Sequence, residues 1–209
     1  MYIPEHFRLT EPTSIQEVMR NHNFATLISG TASNLIASHL PLLWSSDGSG
    51  YGHLRGHMAR DNPQWEDFDV DTEVLVIFNG YHAYISPIWY NLQPAVPTWN
   101  YVAVHAYGAP QIIEPPTSVE ALLKQMVTTF DSNPEQAWSN NKNQDEMVQE
   151  MIPNIVAFDI PISRLEAKAK LSQNRPPDDR TNVIAALQES NDSNTRNLAA
   201  YMETFWKET

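Results

Sequence analysis

From Phe24 to Ile113 the chain is a series of short apolar runs separated by turns, and strands do not alternate with helices. That order disfavours a doubly wound parallel sheet, whose strands need crossover helices, and points to antiparallel strands joined by hairpins. Strands are expected at residues 24–29, 35–44, 51–56, 73–78, 81–86, 102–107 and 111–113. Residues 45–50 read as a turn, and Asn79-Gly80 carries the type I′ hairpin signature. A last strand pair is expected at 155–160 and 164–171. In its second member Leu165, Ala167, Ala169 and Leu171 alternate with Arg164, Glu166, Lys168 and Lys170, the pattern of a sheet with one buried and one polar face. Helices are expected at 14–21 behind a Thr13/Gln16 capping box, at 117–130 behind a Thr117/Glu120 box, and at 145–151, 180–189 and 195–207. Val119, Leu122, Leu123, Met126, Val127 and Phe130 form a stripe that reads as core packing, whereas residues 133–142 read as a loop. The implied class is mainly β with helical additions, an antiparallel barrel. Residues 1–176 would be the barrel domain, with inserted helices at about 118–151, and residues 177–209 a helical extension.

Composition narrows the function classes. There is no cysteine, which excludes disulfides, thiolate zinc sites and cysteine nucleophiles. The net charge of −12, from 13 basic against 25 acidic residues, repels nucleic acid and anionic membranes. With no helix-turn-helix pattern and no basic helix, direct DNA binding is disfavoured. The N-terminus lacks the basic and apolar regions of a signal peptide, and no run is long enough to cross a bilayer, so the expectation is a soluble cytoplasmic protein. No Gly-rich, Walker, GxSxG or HExxH motif is present, so a phosphorylated cofactor would have to be held in another way.

The segment from His57 to Trp65 offers such a way. A strand is followed by Arg60, then by Asn62 as N-cap and Pro63 at the first helical position. Free amide hydrogens at a helix start together with a guanidinium would seat an anion; the alternative is an ordinary strand-to-helix connection. His53 and His57 fall on one face of a strand, and with His39 they could form a three-imidazole metal site, although strand histidines more often bond backbone or a ligand. Residues 85–90 and 96–101 supply aromatic walls for a flat heterocycle, or a satellite core. Residues 170–176 gather cationic and amide donors at a strand end, suited to an anion or flavin and equally to plain solvation.

These pieces together resemble one family. Met1-Tyr2-Ile3-Pro4 with His6-Phe7, Ser38-His39-Leu40-Pro41-Leu42, Gly56-His57-Met58-Ala59-Arg60 with Asn62-Pro63-Gln64-Trp65, His82-Ala83-Tyr84-Ile85-Ser86-Pro87, Val96-Pro97-Thr98-Trp99-Asn100-Tyr101 and Lys170-Leu171-Ser172-Gln173-Asn174-Arg175 resemble, in order and spacing, the PaiB-type FMN-binding negative transcriptional regulators. The resemblance runs from the first residue to about Arg180. It implies an FMN-binding split barrel, similar to pyridoxamine-phosphate oxidase, that forms homodimers with the flavin at the subunit interface. It also implies a role in negative regulation of sporulation and degradative-enzyme genes. Carried over by residue, the phosphate would fall on Arg60 and Asn62, with His57 and Ala59 beside it. Ser38, His39 and Leu40 would lie under the ring, while Trp99, Asn100, Gln173 and Arg175 would close over it. Ala167 and Ala169 stand where many relatives carry a Gly and a bulky aromatic, which would leave the ring pocket looser or fill it differently, and Glu5 stands where Pro is common.

Three functions follow. One is a flavin-binding regulator acting through another protein or through flavin chemistry rather than by gripping DNA. The second is an FMN-dependent oxidoreductase or flavin reductase of a small molecule, in which the flavin supplies the hydride chemistry. The third is a haem-binding or haem-degrading split barrel, resting on the histidines and aromatics.

Overall fold

The computed structural model describes residues 1–31, 34–46, 48, 50–69, 71–91, 93–137 and 142–208. In chain order the elements are α1 (Pro12–Asn21), β1 (Phe24–Thr31), β2 (Asn34–Pro41), β3 (Leu43–Ser45), β4 (His53–Ala59), β5 (Val74–Ile85), β6 (Thr98–Gly108), β7 (Gln111–Ile112), α2 (Pro116–Phe130), α3 (Pro134–Ala137), α4 (Lys142–Met151), β8 (Ile155–Pro161), β9 (Arg164–Lys170), α5 (Pro177–Gln188) and α6 (Ser193–Glu208). The strands form two sheets, ordered β2-β1-β5-β6-β9 and β3-β4-β8-β7. The ladders β1–β2, β1–β5, β3–β4, β4–β8 and β7–β8 are antiparallel.

By contacts the chain divides into two compact units. The first comprises Met1–His22, Phe78–His105 and Glu166–Thr209, and the second Asn23–Ile77 and Ala106–Leu165.

In the second unit, β1 and β2 make a hairpin paired from Phe24↔Pro41 to Thr31↔Asn34. The run expected at residues 35–44 is broken at Leu42 into β2 and β3. The turn expected at 45–50 includes Asp47 and Ser49, which lie outside the described residues, as do residues 138–141 of the expected loop at 133–142. The rest of that loop contains the single turn α3. The α2 stripe behaves as its period demands: Val119, Leu122 and Met126 are buried with Leu43, Ile152 and Ala157, and Leu123 packs on this cluster only partly buried. Phe130, at the end of the stripe, remains exposed.

Neither expected capping box forms, and proline explains both cases. Pro12 and Pro116 each take the first helical turn, so the cap moves back to the residue before. Glu11 caps α1 by accepting from Ser14 N at 2.9 Å. Pro115 precedes α2 without a side-chain cap, and Glu120 instead accepts from Lys124 and Gln149, both at 2.6 Å.

In the first unit, the hairpin expected at Asn79-Gly80 does not exist, because β5 runs straight through it. A Cβ on Gly80 would stand 3.0 Å from both Cβ and O of Val102. The glycine therefore admits close approach of β6, and strand pairing overrides the local turn preference. The polar face expected on β9 is also different from expectation. Lys168 is buried, donates to Tyr2 O at 3.2 Å, and lies 5.8, 5.9 and 5.1 Å from the ring centroids of Tyr2, Phe7 and Tyr101. The N-terminal segment covers that face, with Leu9 N donating to Ala167 O and Arg8 bridging Lys168. Val183 and Leu187 of α5 and Leu198, Ala199 and Met202 of α6 are buried.

Candidate functional site

In the second unit β4 ends at Ala59, three residues beyond the expected end, and the chain turns into a five-residue 3₁₀ helix, Pro63–Asp67. Asn62 is its N-cap, as its sequence position predicts: Oδ1 accepts from Gln64 N at 3.0 Å. Its Nδ2 donates to Ser38 Oγ on β2 at 2.8 Å. Gln64 is fully buried, and Nε2 donates to Leu27 O at 3.1 Å, Ser29 Oγ at 3.1 Å and Ile36 O at 3.2 Å. These bonds pin the turn to the β1–β2 hairpin.

The expected seat of free amides is not what the chain builds. Gln64 N is spent on the cap, Asn62 N donates to Ala59 O at 3.0 Å, and Arg60 N donates to Asn154 O at 2.8 Å. The guanidinium of Arg60 is an outward-facing clamp. Nε donates to Pro153 O at 2.6 Å and one terminal nitrogen donates to Ile155 O at 2.7 Å. Trp65 flanks it, with the ring centroid 5.6 Å from the guanidinium carbon and Nε1 donating to Arg60 O at 2.8 Å. Carbonyls satisfy donors without cancelling charge. No described carboxylate forms an ion pair with Arg60, so this exposed cation remains electrostatically open.

The remaining candidates of this unit separate by strand geometry. Ser38 and Leu40 point to one side of β2 and His39 to the other. His39 is exposed, with Nδ1 3.1 Å from Thr26 Oγ1 and its ring stacked on Phe24 at 6.3 Å. His57 pairs with Ala157 across β4–β8, and Ala157 belongs to the α2 cluster, so His57 faces the helical layer. Ala59 is exposed at the strand end. His53 Nδ1 sits 2.8 Å from Asp159 Oδ2. The three-imidazole alternative finds no support in this arrangement: His39 meets Thr26, His53 meets Asp159, His57 faces the helical layer, and no group of three metal-ligating side chains gathers among the described residues.

Burial holds the His57 imidazole below its ordinary pKa, and its Nδ1 is buried without a partner. The native state therefore keeps it neutral, while the unfolded chain protonates first as pH falls. This contribution to stability is complete above the unfolded value of 6.5 and is lost as pH drops from there toward the folded pKa. Burial depresses His22 and His105 in the same direction. Urea unfolding should accordingly show weaker folding at acid than at neutral pH, and His57→Leu should flatten part of that slope; a variant with the wild-type slope would remove His57 as a contributor.

In the first unit, Trp99 is 53% exposed and meets Tyr84 edge-on at 6.1 Å. Trp99, Tyr101, His82, His105, Gly80 and Val102 are among the residues lining a cavity of about 610 Å³. Of these, the sequence had marked Trp99 and Tyr101, as part of the aromatic wall at residues 96–101. The period-two spacing of Trp99, Tyr101 and His105 on β6 was the signal for His105. Asn100 is fully buried, donating to Ser172 Oγ at 2.9 Å, with Oδ1 lacking a partner. Gln173 bridges its own turn, accepting from Leu171 N at 2.6 Å and donating to Ala169 O. Arg175 lies 4.1 Å over the Tyr90 ring.

Antiparallel sheets of this order with helical additions make a split β-barrel, a fold that solved structures share. The flavocytochrome Anf3 of Azotobacter vinelandii superposes with a TM-score of 0.62 at 8% identity, covering 80% of this chain and 72% of that one. A FAD and heme binding protein of Mycobacterium smegmatis gives 0.59 at 12% identity, covering 86% and 79%. The chain belongs to the family described as "Putative FMN-binding domain", which it matches over residues 1–164. It is 36% identical over 203 residues, 97% of each chain, to the "Protease synthase and sporulation protein PAI 2" of Bacillus subtilis (strain 168). It is 30% identical over 227 residues, 90% of each chain, to an uncharacterized protein of Emericella nidulans. Among the described residues no helix is long and apolar enough to cross a membrane.

Proposed function

We propose that this protein is an FMN-binding, PaiB-like regulator that works in the cytoplasm as a homodimer and does not itself grip DNA. The observation that carries the flavin reading is the uncompensated guanidinium of Arg60, fixed by backbone carbonyls beside the turn where Asn62 bonds Ser38. A phosphate is a natural counter-ion for such a cation. Ser38, His39, Leu40, His57, Ala59 and Asn62 on the second unit, and Trp99, Asn100, Gln173 and Arg175 on the first, remain the candidate cofactor residues. Of these, Ser38, Asn62, His39 and Trp99 present groups a ligand can reach, whereas Asn100 and Gln173 are engaged internally. Followed by flavin fluorescence, Arg60→Ala should weaken FMN binding by about 1.5–3 kcal/mol. Arg60→Lys should recover part of that loss. Unchanged affinity in the alanine variant would remove Arg60 from the site.

The dimer reading rests on an open sheet face. Phe24 is 68% and Leu35 67% exposed, and the register sets them on one side with Thr26, Ile28, Ala37 and His39. β2 is also an edge strand in its sheet. An apolar patch beside an unpaired edge invites a second copy across a two-fold axis. Sedimentation equilibrium should give a dimer at micromolar concentration and a monomer for Leu35→Glu. A monomeric wild type would sink this part.

The net charge of −12 supports regulation without direct DNA contact. A gel shift at physiological salt with micromolar protein should show no complex. The cavity beside Trp99 favours a second reading, an FMN-dependent oxidoreductase, which rapid NAD(P)H oxidation by the flavin-loaded protein would support.

A further inference from the structure

A separate cavity of about 400 Å³ in the second unit is lined by Ser45, Ser46, His53, Arg55, Ile113 and Asp159. The register sets Ser45 opposite His53 and Arg55 opposite Asp159, so these side chains share one face of the β3-β4-β8-β7 sheet. Arg55 is half-buried, and its bonds go to neutral acceptors only: Ser45 Oγ at 3.3 Å and Gln125 Oε1 of α2 at 3.0 Å. Its Nε is buried without a partner.

Asp159 stands directly across the ladder but forms no direct ion pair with this guanidinium. Its Oδ2 meets His53 Nδ1 at 2.8 Å, and its Oδ1 is buried without a partner. A half-buried charge is ordinarily matched by an opposite one. Here a chain with 25 acidic residues places no described carboxylate in an ion pair with this guanidinium. The serines add donors. Ser45 Oγ accepts from Arg55 and Ser46 Oγ accepts from Gly48 N at 3.1 Å, which leaves both hydroxyl hydrogens free to point elsewhere.

We propose that this cavity is a binding site for a small oxyanion, the phosphate or carboxylate group of a small molecule. The Arg55 guanidinium supplies the counter-charge, and the Ser45 and Ser46 hydroxyls supply hydrogen bonds. Asp159 holds the His53 ring in place at the rim. Arg60 and the proposed flavin seat take no part.

The full-length protein, titrated calorimetrically with inorganic phosphate in one arm and acetate in the other, tests this. Saturable binding in the millimolar range or tighter is expected, and the stronger arm tells a phosphate from a carboxylate ligand. Arg55→Met should weaken it about tenfold or more at an unchanged melting temperature. The same binding should persist in Arg60→Ala, which separates this site from the flavin seat whether or not FMN binds. If Arg55→Met does not fold, Arg55→Lys, which keeps the charge and loses the planar fork, should bind more weakly than wild type. No saturable binding of either anion, or wild-type affinity in the Arg55 variant, overturns the proposal.

Discussion

Gln64→Ala should lower the free energy of unfolding by about 3–5 kcal/mol, a large share of what a domain possesses. The side chain is wholly buried, and its single amide nitrogen serves two carbonyls of the β1–β2 hairpin and the Ser29 hydroxyl. Truncation removes packing volume and strands those acceptors together. Gln64→Leu keeps most of the volume and loses only the donors, so about 1–3 kcal/mol is expected for it. Urea midpoints at constant slope measure both. A leucine variant as destabilised as the alanine one would show that hydrogen bonding accounts for the effect. Two near-neutral variants would show that the turn is not anchored by this residue. Because Asn62 lies two residues earlier and reaches Ser38, loosening Gln64 should also weaken FMN binding.

Leu122→Ala should cost about 2–5 kcal/mol. Leu122 lies in the cluster that joins α2 to Leu43, Ile152 and Ala157. Leu123, its neighbour in the apolar stripe, is only partly buried and should cost less when truncated. Equal losses at the two positions would contradict the observed orientation of α2. The stripe alone cannot rank the two, since both fall within its angular width.

The antiparallel class, the α2 stripe, the family and the Asn62 cap were all legible in the chain. Each is written in local spacing or in a contiguous motif. Proline placement was legible as well, but its consequence for the caps was misjudged: Thr13 and Thr117 look like N-caps only until Pro12 and Pro116 are counted as the first helical residues.

Of the candidate site, sequence placed Asn62 correctly, because an N-cap is settled by its immediate neighbours. It could not place Arg60, whose guanidinium is held by carbonyls more than ninety positions away. Nor could it show that Asn100 is sealed inside against Ser172, or that His57 faces α2 while Ser38 meets Asn62.

What this sequence determined by itself is the antiparallel class, the apolar stripe of α2 and the family pattern, since periodicity records which side of an element is dry. Only the tertiary structure decided which distant segment supplies that cover. It let β5 run through Asn79-Gly80, buried Lys168 beneath the N-terminal segment, and left Arg55 and Arg60 without an ion pair among the described residues. A side chain's partner is chosen by whatever the fold brings beside it, and local spacing carries no record of that arrival.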